Sequence, residues 1–327
     1  MRMYYTVSFT SSNSSFTECV RTNLVIFSVP SWSNADYSGP YSAPKEVSST
    51  ARFLSCTFHS KSVSGGGGAI YFHGESSSLT VSDCLFNQCN SSSGSGGAIY
   101  CLSCGKVTVR KSSFIECSTW PSHSGAGMYT NNAFQMPEVT ASIFVWCLGG
   151  EDGGTLYLYQ TKGGTNGVNL PVQECRFIDC VARGDAGVYS GPDCGGLIFW
   201  PNDYTLGLCE SSFVKCASKF TVGAVGLCIN ESRFDYVIRF CFFSDNTAPH
   251  GNNVLVEFVG ASKPLWSIVF LHSFTSDTDL SKSLVSAYED YWNPIPENTN
   301  WLPQSSTYFT NSTSGEGKNT NDLSEQA

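Results

Sequence analysis

The residues able to do chemistry in this 327-residue chain recur at a nearly constant spacing. Two positions after a repeated phenylalanine stand Glu18, Gln88, Glu116, Trp146, Asp179, Lys215 and Asp245. Three positions before it stand Asp83, Lys111, Glu174 and Glu210. If successive repeats stack as β rungs, Glu116 and Asp179 lie two rungs apart, about 9.6 Å by backbone spacing. That separation is close to the upper range for the carboxylate pair of an inverting glycoside hydrolase. A lyase also needs a base or cation beside its acids. Lys215 stands in the same column, so Glu116, Asp179 and Lys215 are the catalytic candidates. Glu174 and Glu210 fall on adjacent rungs and are candidate oxygen ligands for Ca²⁺. A solvated face with charges of both signs accounts for the same columns without any catalysis.

Cysteine is the other reactive type, with 15 in the chain. Cys19, Cys89, Cys117, Cys147, Cys180 and Cys216 all follow the repeated phenylalanine by three, and Asn246 closes that column. The simpler reading is a stacked, buried thiol ladder, because a free cysteine packs as a small hydrophobe. Stacked positions rarely offer the dihedral a disulfide needs. Cys101-Leu102-Ser103-Cys104 is a lone Cys-x-x-Cys on a turn, with no second pair or histidine to complete a metal or redox site. The five histidines are scattered, and no Ser/His/Asp order, phosphate loop or dinucleotide fingerprint is present. No cofactor is implied.

These positions must be carried by a repeating element. The phenylalanines are 16, 58, 86, 114, 144, 177, 213 and 243, with gaps of 42, 28, 28, 30, 33, 36 and 30. A second motif alternates with them: Gly67-Gly68-Ala69-Ile70-Tyr71 and Gly96-Gly97-Ala98-Ile99-Tyr100, then weaker copies at 125–129, 153–157, 185–189, 223–227 and 251–255. A third run lies between, clearest in Leu79-Thr80-Val81 and Val107-Thr108-Val109. A period near 28 is too short for a propeller blade, and no helical stripe occurs within it. Three strands per period predict an all-β, right-handed parallel β-helix (solenoid) of about nine coils. Its phenylalanines and its Ile/Met/Leu/Val positions would form interior ladders. The Gly-Gly pair would make a sharp corner, since glycine takes positive φ at no steric cost, and the alanine after it would point inward.

The repeat assigns residues 1–262 to the β-helix, with a loop insertion near 28–50. Residues 263–303 read as a C-terminal cap, which an open solenoid end requires. Residues 304–327, rich in Ser, Thr, Asn and Gly, read as a disordered tail. With 18 Lys and Arg against 27 Asp and Glu, the net charge is −9. That balance argues against nucleic acid or an anionic membrane as partner. No run reaches the ~18–20 apolar residues of a transmembrane segment. The opening residues Met1 to Thr6 begin no apolar run of signal-peptide length, so a fragment or an intracellular product is compatible with the sequence.

The alternation of Gly-Gly-Ala-Ile with Phe-x-x-Asn resembles the chlamydial polymorphic outer membrane proteins, in which both tetrapeptides mark β-helix coils. It is still more similar to related surface-protein families of parasitic protists such as trichomonads, where Cys often replaces the Asn. Gly67 to Ile70, Gly96 to Ile99 and Phe243 to Asn246 match outright, and other coils give Phe-x-x-Cys. The resemblance spans roughly residues 10–260. It implies a non-enzymatic surface or secreted protein, adhesin-like, binding a host-cell or extracellular-matrix protein or glycan. Exposed aromatics such as Trp32, Tyr37 and Tyr41 fit that role. So do the sequons at Asn13, Asn90, Asn230 and Asn311, which would carry N-glycans after secretory passage. The alternatives are the polysaccharide lyase or hydrolase outlined above, and a structural or truncated member without a ligand.

Overall fold

Why a coil of this sequence closes on itself is visible first at its corners. In the computed structural model, Gly67, Gly96 and Gly125 take φ of 70°, 70° and 67°. A Cβ on Gly96 would lie 2.3 Å from the Ile99 oxygen. The second glycine has a different reason. A Cβ on Gly68 would lie 2.1 Å from the Gly97 oxygen of the next coil, so here stacking leaves no room for a side chain.

The structure describes residues 50–59, 62–133, 135–150, 154–160, 169–183, 197–200, 205–219, 222–229, 233–249, 252–258, 265–271 and 273–275. It also describes the strands Arg2–Tyr4, Ser8–Ser12, Ser15–Thr17, Leu24–Phe27, Leu284–Tyr288, Tyr291–Pro294 and Thr307–Thr310. They make an all-β parallel solenoid, about five turns in its central part. Three sheets run along it.

The phenylalanine sheet stacks three-residue strands: Thr57–His59, Leu85–Asn87, Ser113–Ile115, Ile143–Val145, Arg176–Ile178, Ser212–Val214 and Phe242–Ser244. Each pairs in parallel register, Phe on Phe. The central rings point inward and are fully buried. They stack face to face at 4.8, 4.7, 4.7, 4.9, 4.6 and 5.4 Å from Phe58 to Phe243. Offset or stacked rings of this kind contribute ~0.5–1.5 kcal/mol per contact beyond their buried area.

The long sheet carries both other predicted runs. Ile70, Ile99, Met128, Leu156, Val225 and Val254 form one buried ladder. Val81, Val109, Val139, Val172, Leu208 and Ile238 form another. The predicted separation between the two runs holds only in part, because Ile70–Ser82 and Ile99–Arg110 are each one continuous strand. The sequence places Cys101-x-x-Cys104 on a turn, whereas it lies within the second of these strands. Ser103, at φ 49°, makes a bulge there that turns both thiols inward. On the outer face Tyr71, Tyr100, Tyr129 and Tyr157 stack at 5.2, 5.3 and 4.7 Å.

The third side is a short sheet that the sequence did not announce. Its two-residue strands are Ser62–Val63, Asn90–Ser91, Ser118–Thr119, Leu148–Gly149, Val181–Ala182 and Ala217–Ser218. Towards the C-terminus parallel pairing gives way to antiparallel. Leu284–Tyr288 pairs with Tyr291–Pro294, and Leu265–Leu271 with Thr307–Thr310. The loop insertion near 28–50, except Thr50, and most of residues 304–327 lie outside the described residues. No helix among the described residues is long and apolar enough to cross a membrane.

Candidate functional site

The charged columns sit at the two corners of the phenylalanine sheet, in left-handed backbone. Before the strand, Asp83, Lys111, Glu174 and Glu210 have φ of 47–55°; after it, Gln88, Glu116, Trp146, Asp179, Lys215 and Asp245 have φ of 51–57°. Few non-glycine residues adopt this region. The turn throws each corner side chain outward and bends the chain from one side of the coil to the next. The corner N–H groups stay in the ladder: Glu116 donates to the Val145 oxygen, Trp146 to Ile178, Asp179 to Val214 and Lys215 to Ser244, at 2.9–3.0 Å.

The residue after each left-handed corner turns inward, and its N–H must find a partner there. That need explains the cysteines. At the first corner the N–H of Cys56 donates to Cys84 Sγ, that of Cys84 to Ser112 Oγ, that of Ser112 to Ser142 Oγ, and that of Cys175 to Ser211 Oγ. Each acceptor in turn donates to the carbonyl two residues before it, as Ser112 Oγ does to the Arg110 oxygen at 2.8 Å. At the second corner the N–H of Cys216 donates to Asn246 Oδ1 at 2.8 Å, and Asn246 Nδ2 donates to the Phe213 oxygen. Cys117 and Cys180 do the same work with sulfur. Each receives the N–H of the preceding coil's cysteine and donates to that coil's Phe carbonyl at 3.6 Å. Cys and Asn are thus interchangeable in Phe-x-x-Cys/Asn because both accept from and donate to the preceding coil. Cys19 lies outside the described residues.

All twelve cysteines whose side chains are described are buried, and none is in a disulfide. Burial pushes the Cys84 thiol up to about 11 and those of Cys175 and Cys241 up to about 12. The native protein at pH 8 should therefore leave Cys84, Cys175 and Cys241 unmodified by a charged thiol reagent, and all three should react in denaturant. A thiol held neutral by burial stabilises the fold fully below the ordinary thiol range. That contribution is lost as pH rises towards about 12, because the unfolded chain ionises first. Rapid native labelling at pH 8 would show the ladder to be open.

Glu116, Asp179 and Lys215 do come onto one corner column, as the spacing implies, with Gln88 Nε2 donating to Glu116 Oε2 at 2.8 Å. Trp146 occupies the rung between the two carboxylates and is 56% exposed. Glu174 and Glu210 stand on adjacent rungs of the opposite corner, both exposed. Among the described residues no group of three or more His, Cys, Asp or Glu side chains is arranged to hold a metal. Asn90 is half-buried in the short sheet, paired with Ser62 and Ser118. Asn13, Asn230 and Asn311 lie outside the described residues, as do Trp32, Tyr37 and Tyr41.

From the Trp146 corner the outer face of the short sheet leads to a second exposed indole. Ser118, Leu148, Val181 and Ala217 follow one another in register as the outward row. Beyond them Trp120, 59% exposed, opens a β-turn over Pro121 and Ser122, closed by the His123 N–H donating to the Trp120 oxygen at 3.0 Å. Proline at the second turn position fixes φ in advance. The turn is tied down further: Thr119 Oγ1 donates to the His123 oxygen, and the Gly150 N–H donates to both His123 O and Thr119 Oγ1. Gly150 must lack a side chain, since a Cβ there would lie 2.2 Å from the Pro121 oxygen. Next to this turn is a cleft of about 460 Å³ lined by Pro121, Val181, Ala182, Arg183, Ala217, Ser218 and Lys219. Arg183 and Lys219 end consecutive rungs, their N–H groups donating to Gly149 O and Ala182 O.

Sequence reasoning placed Trp146 in a column but gave it no role, and it passed over Trp120. The usable signal was a tryptophan in a position otherwise held by Gln, Glu, Asp and Lys. Trp120 had no comparable signal, because a two-residue strand leaves no periodic trace.

Comparison of the chain with models of known protein families, with curated proteins and with solved structures gives no match. The resemblance to polymorphic outer membrane proteins therefore rests on the tetrapeptides themselves.

Proposed function

We propose that this chain is a non-enzymatic, adhesin-like binding protein of a cell surface or secreted setting, and that its site is the outer face of the short sheet. The coil is read as right-handed and the whole rod as about nine coils with a C-terminal cap, following the repeat. The observation that carries the reading is the pair of exposed indoles, Trp120 and Trp146, held on rigid backbone on either side of one shallow face. A solvated indole is costly to display and is the side chain most enriched at binding hot spots. A sugar ring, with one apolar face and hydroxyls at its edge, suits an indole flanked on its column by Glu116 and Asp179 as hydrogen-bond acceptors.

The hydrolase alternative uses Glu116 and Asp179 as an acid and base pair. Trp146 on the intervening rung favours a platform over a reaction centre, since its indole occupies the rung where substrate and water would have to meet. The test is binding to an oligosaccharide panel by the intact chain and by Trp120→Ala and Trp146→Ala. Each substitution should weaken binding at least tenfold, equivalent to ~1.4 kcal/mol, with unchanged circular dichroism and melting. Turnover of any panel member that Glu116→Gln abolishes would overturn the non-enzymatic reading.

A further inference from the structure

The phenylalanine sheet turns its rings inward, so the residues flanking each ring face out. One outward row runs Asn87, Ile115, Val145, Ile178, Val214 and Ser244 in register. Four adjacent β-branched aliphatics thus stand between polar ends. The other outward row adds Ile143 and Phe242, both exposed. The surface is also flat. Successive ring planes differ by only 1–13°, where neighbouring strands of an ordinary sheet turn by about 20–25°. Apolar sheet faces pack against one another ~10 Å apart. A partner for this one must be flat and apolar over the same length, with the same ~4.8 Å repeat. A second copy of the chain meets each condition.

We infer that two copies dimerise face to face through the phenylalanine sheet, with their rods antiparallel. The two-fold axis lies along the strands, midway between the rungs of Phe144 and Phe177, and makes the face its own complement. Ile115 then faces Val214, and Val145 faces Ile178. At the first corner Lys111 faces Glu210, and at the second Glu116 faces Lys215, each pair made twice. Asp83 faces Phe240, Glu174 faces Ala141, Asp179 faces Trp146 and Asp245 faces Gln88, so no like charges are directly opposed. Arg176, the charge within the outward rows, lies beside the axis, where two Arg176 and two Glu174 gather. An axis along the rod would instead set Glu174 against Asp179. Lys111 keeps Asp83, and Lys215 keeps Asp179 and Asp245, as neighbours on their own columns. The pairs across the seam therefore select the register, and the aliphatic rows supply the contact.

Six rungs from Leu85 to Phe242 span about 29 Å, and corner to corner is about 17 Å. That footprint, about 500 Å² per copy, belongs to a weak, reversible dimer. Each short sheet follows the second corner, so both indole faces open on the same side of the seam.

The test is sedimentation equilibrium of the full chain between about 1 and about 200 µM. The expected result is a reversible monomer–dimer equilibrium. Val145→Lys, in the middle of the seam, should weaken it at least about tenfold and keep wild-type melting at the lowest concentration. Lys111→Glu and Glu210→Lys should each weaken it at least about threefold, and the two together should restore it to within about twofold. These corner side chains are exposed, so the exchange reads the seam even where Val145→Lys disturbs the fold. A monomer throughout the range would overturn the inference. A dimer indifferent to Val145→Lys and to both charge reversals would overturn it too, placing the contact on another face. A dimer weakened by each reversal but not restored by the pair would overturn the antiparallel register.

Discussion

Phe114→Asp is expected to abolish folding. Phe114 sits midway in the interior ladder, fully buried, with rings 4.7 Å away on both sides. Truncating such a residue to alanine costs ~3–5 kcal/mol. A carboxylate in the same place loses both ring contacts and must also be desolvated or protonated, a further cost of several kcal/mol. Domains of ordinary stability have only ~5–15 kcal/mol in total. The variant should appear in the insoluble fraction or lack the β-type circular dichroism of the parent. Phe114→Ala should fold with a lowered urea midpoint. A soluble Phe114→Asp protein with native circular dichroism would show that the ladder is not what holds the coils together.

The second large effect belongs to the glycine corner. Gly97→Val should cost about 3 kcal/mol or more, because its Cβ would lie 2.4 Å from both the Ala126 and the Ser118 oxygens. Those atoms are backbone of the next coil, so neither can swing aside, and relief would require the coils to separate. Gly65→Val is the control in the equivalent loop of the preceding coil, since nothing lies within 4 Å of a Cβ there. It should change stability by less than ~0.5 kcal/mol. Equal unfolding midpoints for the two variants would mean that coil spacing is adjustable and that the second glycine is not a packing requirement.

Much of the rod was legible in the sequence because its interior positions are chemically unmistakable. Phenylalanine every 28 to 36 residues, Gly-Gly-Ala before Ile-Tyr, and Leu-Thr-Val between them each mark an inward-facing row, and each row is found stacked. The left-handed corners were not legible, because Gln88, Glu116, Trp146, Asp179 and Lys215 share no side-chain property that signals positive φ. Their common feature is backbone, imposed by the stacked coils and by the inward N–H that follows. The meaning of the cysteines was half visible: burial followed from spacing, but the hydrogen-bonding duty of sulfur appeared only once Cys56, Cys84, Ser112 and Asn246 were seen in the same role. The short sheet was hidden by its length. The carboxylate columns were placed correctly, yet the residue that gives the corner its character, Trp146, drew no attention beside them.

The series arrangement of the coils has a mechanical consequence. Each coil is joined to the next by short rows of hydrogen bonds between parallel strands, and no described strand bridges beyond its neighbouring coils. Tension applied along the rod axis is carried in full by every junction of the series, and the terminal coil, held by a neighbour on one side only, peels first. A repeat of 28 to 36 residues pays out about 100 Å of extended chain when it opens. A tethered rod of this kind would lengthen in discrete steps and keep its remaining coils, with whatever they hold, in place while it absorbs a pull.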